Sequence, residues 1–423
     1  MDIAILLTGN ELMSGDTVDS NSASVAKQLS ASGFSIAQKV TVGDDLQLIA
    51  DQLERLASQY PVLIINGGLG PTDDDLTAEV LARATGLPLE LHAGAKAHVE
   101  LWCSQRKSQL NAANLKQAML PRGCDILANT TGSAVGIYLQ YRGCHIFCTP
   151  GVPSEMRPMI ADVVLPHLLR HFPTAKNRYT RRLKLFGLGE SRVQQIFYDG
   201  FPDWPEDVAI GFRAGAPLLE LKLEVENEAL LSLRDRCEQQ LRERIGDFIV
   251  GENDQTLADV VVDLLVSCGQ KLALAESCTG GTIASSITSV DGASRVFEAG
   301  VVSYSNAIKH SMLEVDTAVL ARHGAVSEAV VRAMAMGALR LSQADYAIAV
   351  SGIAGPSGGS DDKPVGTVWI AWGDSDNMAA ECFFYPAARQ HFQLMISALA
   401  LDLMRRRLLG IEQVPRYFKR APA

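Results

Sequence analysis

The stretch Leu272–Gly281, LALAESCTGG, sets a hydroxyl where chemistry is possible. Leu272 to Ala275 read as a short strand. Glu-Ser-Cys-Thr-Gly-Gly then delivers the chain to a turn before GTIASSITSV, which reads as a helix. Free backbone N–H groups and the positive end of the helix dipole converge at such a turn, so Ser277 would stand beside donors for a phosphate or an oxyanion. An ordinary N-cap, with Gly280 and Gly281 for close packing, is the alternative. Downstream, Phe297–Tyr304 reads as another strand, and Ser305 and Asn306 supply an N-cap for a helix that carries Lys309 near its third position. The dipole opposes a cation there, and burial would lower its pKa until the amine can accept a proton. Ser277 as nucleophile, Lys309 as base and Tyr304 as hydroxyl relay would make a hydrolytic set. Cys278 is the rival nucleophile, because a thiol beside a helix start is activated.

A second reactive set lies in the N-terminal half. Gly67, Gly68 and Gly70 of GGLGPTDDDLT (Gly67–Thr77) leave backbone amides bare, as a phosphate cradle requires. Asp73, Asp74 and Asp75 follow at once. Carboxylates beside a phosphate repel it unless a hard divalent cation bridges the two. Asp73 also fits a helix-start acid complementing the dipole, and Asp75 is the stronger ligand candidate.

The elements that must hold these residues alternate between strand and helix. Ile3–Leu7 reads as a strand, DSNSASVAKQLSASG as an amphipathic helix closed by Gly33, residues 37–42 as a strand, 46–58 as a helix and Val62–Asn66 as a buried strand. That alternation predicts an α/β fold with a parallel sheet covered on both faces, its ligand site beyond the carboxyl ends of the strands. Glu11, Asp19, Asn21, Asp44 and the glycine-aspartate run sit at those ends. HFPTAKNR, residues 171–178, marks a boundary. RRLKLFGLGESRVQQIF and LLELKLEVE then form a small α+β unit to about Gly251, whose basic residues Arg178, Arg181, Arg182 and Lys184 read as a solvated strand face or a phosphate site. From Thr256 the order is helix, strand, helix, strand, helix, then ADYAIAVS ending at GIAGPSGG. A strand AAECFFY and an apolar helix ending in RRR close the chain.

ESCTGG, GVVSYSNAIK, GAVSE and SGIAGPSGG followed by KPVGTVWIA together resemble the nicotinamide mononucleotide deamidase (PncC) domain that forms the C-terminal half of the CinA, or competence/damage-inducible, family. The resemblance runs from about Thr256 to Gly410. It implies an α/β/α amidase domain (252–423) that needs no cofactor. Ser277, Lys309 and Tyr304 would be catalytic, with Thr279, Gly280, Gly281, Gly352, Gly355 and Arg389 around the substrate. Where that family carries two arginines before its last helix, this chain keeps Arg389 and has Gln393 at the second position. TGNEL, DSN, GGLGPTDDDLT, NLKQAMLP, NTTGSAVG and PGVPSEM resemble the MoaB/MogA-like molybdopterin-binding fold in its CinA version. A three-layer α/β/α domain over 1–170 and a small connecting domain over 171–251 are therefore expected. For the first domain the resemblance implies a metal-dependent ADP-ribose pyrophosphatase, with cobalt, manganese or magnesium, and a possible monovalent cation. By matching motifs Asp44 and Asp75, with Glu11 and Asp74, would meet the metal, and Gly67, Gly68, Gly70, Asn21 and Asn114 the ligand. GSAVG stands where the family has GTAPG. A pterin-binding module without catalysis and a competence-associated scaffold are the other readings. A homodimer is implied by resemblance alone.

At 423 residues the chain holds two or three domains, and 47% apolar with 20% charged residues suits compact ones. No stretch reaches the roughly 18 consecutive apolar residues of a membrane span. MDIAILLTGNEL enters a strand without a basic leader, so a cytoplasmic protein is expected. A net charge of −10 argues against broad nucleic-acid binding; small nucleotides as partners, nicotinamide mononucleotide and ADP-ribose, are implied by the resemblance. Eight scattered cysteines without CxxC read as reduced core thiols. Cys144 and Cys148 flank a strand on one side, with no second pair to complete a zinc site.

Overall fold

A computed structural model describes residues 1–172, 178–415 and 418. The chain forms two compact units, Met1–Arg178 and Tyr179–Ala423. Within the expected boundary segment, residues 173–177 lie outside the described residues.

The first unit carries β1 (Asp2–Thr8), β2 (Ser35–Val42), β3 (Val62–Asn66), β4 (Leu89–Leu91), β5 (Met119–Pro121), β6 (Asp125–Leu127), β7 (Gly136–Tyr141) and β8 (Cys144–Thr149). Among the described residues the main sheet runs β2-β1-β3-β8-β7-β6, and β4 pairs with β5 apart from it. β2, β1, β3 and β8 are parallel. β7 and β6 are antiparallel, a departure from the expected parallel sheet. The cause is local: Arg142 and Gly143 both take positive φ (51° and 86°) in a two-residue hairpin turn, too short for a parallel crossover. β1 and β3 are apolar on both faces and need cover from both sides. Leu53, Leu56, Val80 and Leu81 cover one face, from helices Leu46–Gln59 and Thr77–Thr85. Val25 and Leu29, with Met156, Ile160 and Leu168, cover the other. The latter three come from a helical run over 153–171 that widens into a π turn at Ile160–Val164.

The second unit begins with β9 (Tyr179–Leu185), β10 (Ala209–Ala214), β11 (Leu219–Val225) and β12 (Ile249–Glu252), in the order β10-β11-β9-β12. The basic residues of β9 meet acids, not an open face. Arg181 pairs with Glu238 and Glu252, Arg182 and Lys184 with Glu220. These three are therefore strand-face residues bound into an ion-pair ladder rather than simply solvated. β13 (Leu272–Glu276), β14 (Phe297–Val302), β15 (Tyr346–Gly352), β16 (Thr367–Gly373) and β17 (Met378–Phe384) follow in the order β14-β13-β15-β16-β17. The first three are parallel, the last two antiparallel. Helix Leu257–Cys268 opens with a Thr256–Asp259 capping box and closes on Gly269 at φ 67°. With helix Arg389–Leu408 it covers one sheet face, and helix Glu328–Ser342 covers the other.

The basic end of the last helix does more than complement its dipole. Arg405 and Arg406 are buried against fully buried Asp402, and both donate to the Asp247 carbonyl (2.7 and 2.9 Å). No helix among the described residues is long and apolar enough to cross a membrane. Cys144 and Cys148 lie in the apolar core of the first unit, and burial pushes the Cys144 thiol up to about 12.

One polar cluster stands apart. The His167 and His171 rings stack at 4.1 Å, His145 lies 5.8 and 5.3 Å from them, and Tyr138 Oη meets His145 Nδ1 at 2.9 Å. Burial holds His145 and His167 below the ordinary histidine value of 6.5. His171 adds to this for both, as do His145 and Arg170 for His167, while Asp125 opposes it there. Below that value the unfolded chain binds protons that the folded unit refuses, so stability falls with falling pH. The urea midpoint of the full chain, read by hydrogen-exchange mass spectrometry on β8 peptides, is expected to drop between about pH 7.5 and about pH 5.5. His167→Phe should shrink that drop.

Candidate functional site

Three serines mark the carboxyl ends of three neighbouring parallel strands. Glu276 of β13 is in register with Val302 of β14 and Val350 of β15, so Ser277, Ser303 and Ser351 occupy the next row. The Ser277 amide extends the ladder by donating to Val350 O (3.0 Å), and the Ser303 amide donates to Glu276 O (2.8 Å). Lys309 arrives from helix Asn306–Leu313, capped by Ser305, and is its fourth residue rather than its third.

The lysine amine is buried to 1% exposure. It meets Ser277 Oγ at 3.0 Å, Ser303 O at 2.7 Å and Tyr304 O at 3.3 Å. Burial lowers its pKa from the ordinary 10.5, and among the described residues no carboxylate pairs with it. Two carbonyls take two N–H hydrogens, so in the neutral amine the lone pair faces the serine hydroxyl. This is the geometry of a base and its nucleophile.

A cavity of about 190 Å³ opens beside them, lined among others by Ser277, Tyr304, Lys309, Ser351, Gly352 and Arg389. The Tyr304 ring is 62% exposed, and its phenol accepts from Arg389 Nη2 (3.0 Å) rather than meeting Ser277 or Lys309. The expected hydroxyl relay is therefore not assembled here; it is the Tyr304 carbonyl that touches Lys309. Arg389 also donates to Gly355 O (3.1 Å), which fixes its guanidinium at the mouth. The Cys278 thiol is buried in the apolar core and pushed up to about 12, chiefly by burial, so Ser277 is the stronger nucleophile candidate.

The oxyanion donors also differ from expectation. Glu276 is 1% exposed and accepts the amides of Gly281 (3.0 Å), Ile283 (3.2 Å) and Ala284 (2.8 Å), using up the start of helix Thr282–Thr288. Gly280 donates to Ser277 O (3.2 Å). That leaves the amides of Cys278 and Thr279 without a backbone acceptor among the described residues. Gly280 and Gly281, at φ 65° and 96°, make the turn and line a separate shallow groove with Thr282 and Ser285. The buried Thr279 hydroxyl lies outside the Ser277 cavity lining and has no partner among the described residues. Gln393 donates to Cys278 O (2.9 Å), so it braces the nucleophile turn. Sequence reasoning missed Glu276, whose signal was a lone acid closing an apolar strand, and Ser351.

In the first unit a cavity of about 590 Å³ opens where β1 and β3 diverge to opposite neighbours. Glu11, Asp44, Asp74, Asp75, Gly67, Gly68 and Gly70 all line it. Asp44 is held by the Asn10 amide (2.8 Å) and Asp75 by the Thr72 amide and hydroxyl (2.9 and 2.6 Å). Burial raises Asp44 above the usual carboxylate value, with Glu11, Asp74 and Asp75 adding repulsion against the pull of the Asn10 amide. A Cβ on Gly70 would collide with Asp75 Oδ2, so only glycine leaves that acid its place. Hard oxygen donors suit a divalent cation by type, but among the described residues no three acids, histidines or cysteines are grouped so as to hold one by themselves.

Asn21 and Asn114 are not in this lining. Asn21 ties Asn66 Oδ1 (2.9 Å) to Gly151 O (2.6 Å), and Asn114 completes a capping box with Asn111. Gln117, Ser133 and Glu155 line the cavity and were not singled out from sequence. Glu155 accepts from Asn129 (2.7 Å) and fills the space that a side chain at residue 132 would need.

Residues 254–408 match the family profile described as CinA C-terminal domain, and residues 4–170 that of a probable molybdopterin binding domain. A CinA-like protein of Colwellia psychrerythraea is 47% identical over 418 residues, covering 98% of this chain and 97% of its own. One from Geotalea uraniireducens is 38% identical over 414 residues, covering 97% and 98%. A crystal structure titled as a competence-damaged protein (CinA) superfamily protein from Klebsiella pneumoniae is 36% identical over 36% of this chain and 96% of that one, with a TM-score of 0.36. With full-length relatives at this identity and both profiles in order, the chain belongs to the CinA family, a MoaB/MogA-like domain followed by a CinA C-terminal domain.

Proposed function

We propose that the C-terminal site hydrolyses the carboxamide of nicotinamide mononucleotide to nicotinic acid mononucleotide and ammonia. The observation that carries this reading is the buried, carboxylate-free Lys309 amine 3.0 Å from Ser277 Oγ. Lys309 takes the hydroxyl proton as Ser277 Oγ bonds to the amide carbon, and the amides of Cys278 and Thr279 are the donors available to the oxyanion. The proton returns to nitrogen as the C–N bond breaks and ammonia leaves. Water then cleaves the acyl-serine, with Lys309 again as base. The cavity is sized for one aromatic ring and its substituent. Arg389 at the mouth suits the phosphate that follows, its guanidinium exchanging Tyr304 for phosphate oxygens.

The N-terminal cavity supports a second activity, divalent-metal-dependent hydrolysis of ADP-ribose to AMP and ribose 5-phosphate. Asp44 and Asp75, with Glu11 and Asp74, would hold the cation, and Gly67, Gly68 and Gly70 would let backbone amides approach the pyrophosphate. The bound cation would neutralise charge on the pyrophosphate. A pterin-type module that binds without cleaving would use the same cradle and release no AMP.

Ammonia release from nicotinamide mononucleotide without added metal is expected to fall by about a thousandfold or more in Ser277→Ala and in Lys309→Met. For the wild type the rate should fall as the pH drops through the depressed Lys309 pKa, because the ammonium cannot accept the serine proton. Equal release by Ser277→Ala would overturn the assignment.

AMP release from ADP-ribose with manganese should be lost in Asp75→Asn while ammonia release is retained. Wild-type protein that binds ADP-ribose yet yields no AMP would favour the binding module.

A further inference from the structure

Ser351 is the cavity hydroxyl that the hydrolytic steps leave unused. It is 1% exposed, lies one row beyond Val350 at the end of β15, and lines the same cavity as Ser277. Side chains alternate along the neighbouring strands. Ala275 and Ala349 pack into one apolar cluster while Leu274 and Val350 pack into the other, which puts Ser277 and Ser351 on a common face. The Ser351 hydroxyl donates to Ala325 O at 2.8 Å. A carbonyl cannot donate, so the sense of this bond is fixed. The single serine proton is committed to it, and only lone pairs remain for the cavity.

We propose that Ser351 selects a primary carboxamide over a carboxylate at this site. The inference rests on the amidase reading. An amide whose oxygen lies toward the Cys278 and Thr279 amides turns its NH2 group away from them, and Ser351 Oγ offers that nitrogen an acceptor. The acid product carries a second oxygen in the same place, facing lone pair with lone pair. Turning the serine hydroxyl to meet it would take from the partly buried Ala325 carbonyl the hydrogen bond it accepts. The site thus favours its substrate and loosens its product, without a charged residue dedicated to either task.

The test uses full-length Ser277→Ala protein, which holds ligands without turnover. Calorimetric titration with nicotinamide mononucleotide and with nicotinic acid mononucleotide gives the ratio of the two dissociation constants. Adding Ser351→Ala is expected to shift that ratio by about tenfold toward the acid. Adding Ser351→Thr, which keeps the hydroxyl, should leave most of the preference. With Ser277 intact, Ser351→Ala should raise KM for the amide and tighten inhibition by the acid. A ratio unchanged in the Ser351→Ala background, or equal weakening of both ligands, would overturn the proposal, since a packing role cannot distinguish N–H from O⁻. Ammonia release by the wild type judges the amidase reading separately.

Discussion

The C-terminal site depends on taking a lysine amine out of water without giving it an acid. Burial penalises the ammonium of Lys309, and the groups that receive its hydrogens are neutral carbonyls at Ser303 and Tyr304. A carboxylate in either place would hold the proton and make the residue a structural ion pair. The contrast with the same unit is direct: Arg405 and Arg406 are equally buried, but share Asp402 and donate to the carbonyls of Asp247 and Gln413, fastening the last helix to both. Buried basic side chains are common to both places; the acid partner, present for the arginines and absent for Lys309 among the described residues, sets them apart.

The sheet makes this arrangement possible. In parallel neighbours the carboxyl ends lie at one edge, and the register puts Ser277, Ser303 and Ser351 in one row there. Glu276 then settles how the helix start is used. Its carboxylate takes three amides of the first turn, so the positive end of that short helix is answered by the fold itself. Among the described residues of this turn, the amides of Cys278 and Thr279 are left without a backbone acceptor. The same topology serves the first unit to a different end. There the acids Asp44 and Asp75 collect beside bare glycines, and the Asn10 amide and the Thr72 amide and hydroxyl answer only part of their charge.

Much of this was legible in the chain. Continuous apolar runs bounded by turn residues, and a helix closed by glycine, located β1, β3, β13 and the capped helix Leu257–Cys268, because local propensity and tertiary demand agree there. The Ser277–Lys309 pair could be named because each residue sits at a junction of elements. What could not be read was which partner each polar group chooses. Tyr304 looks like a relay in sequence, yet its phenol is claimed by Arg389, 85 positions away. Asn114 resembles a ligand and is a helix cap. The β7–β8 hairpin was hidden because a buried antiparallel pair has the same apolar composition as a parallel one.

Gln393 shows why a departure from a family pattern has to be judged by contact. As a missing arginine it means one fewer donor for a phosphate. As the side chain actually present, it donates to the Cys278 carbonyl and braces the turn that carries Ser277. An arginine there would bring a second positive charge toward Lys309, and Coulomb repulsion would press its amine further toward the neutral form. The amide gives up that push and keeps the brace. The glutamine thus leaves Arg389 as the guanidinium lining the cavity and holds the turn that sets Ser277 Oγ 3.0 Å from the Lys309 amine.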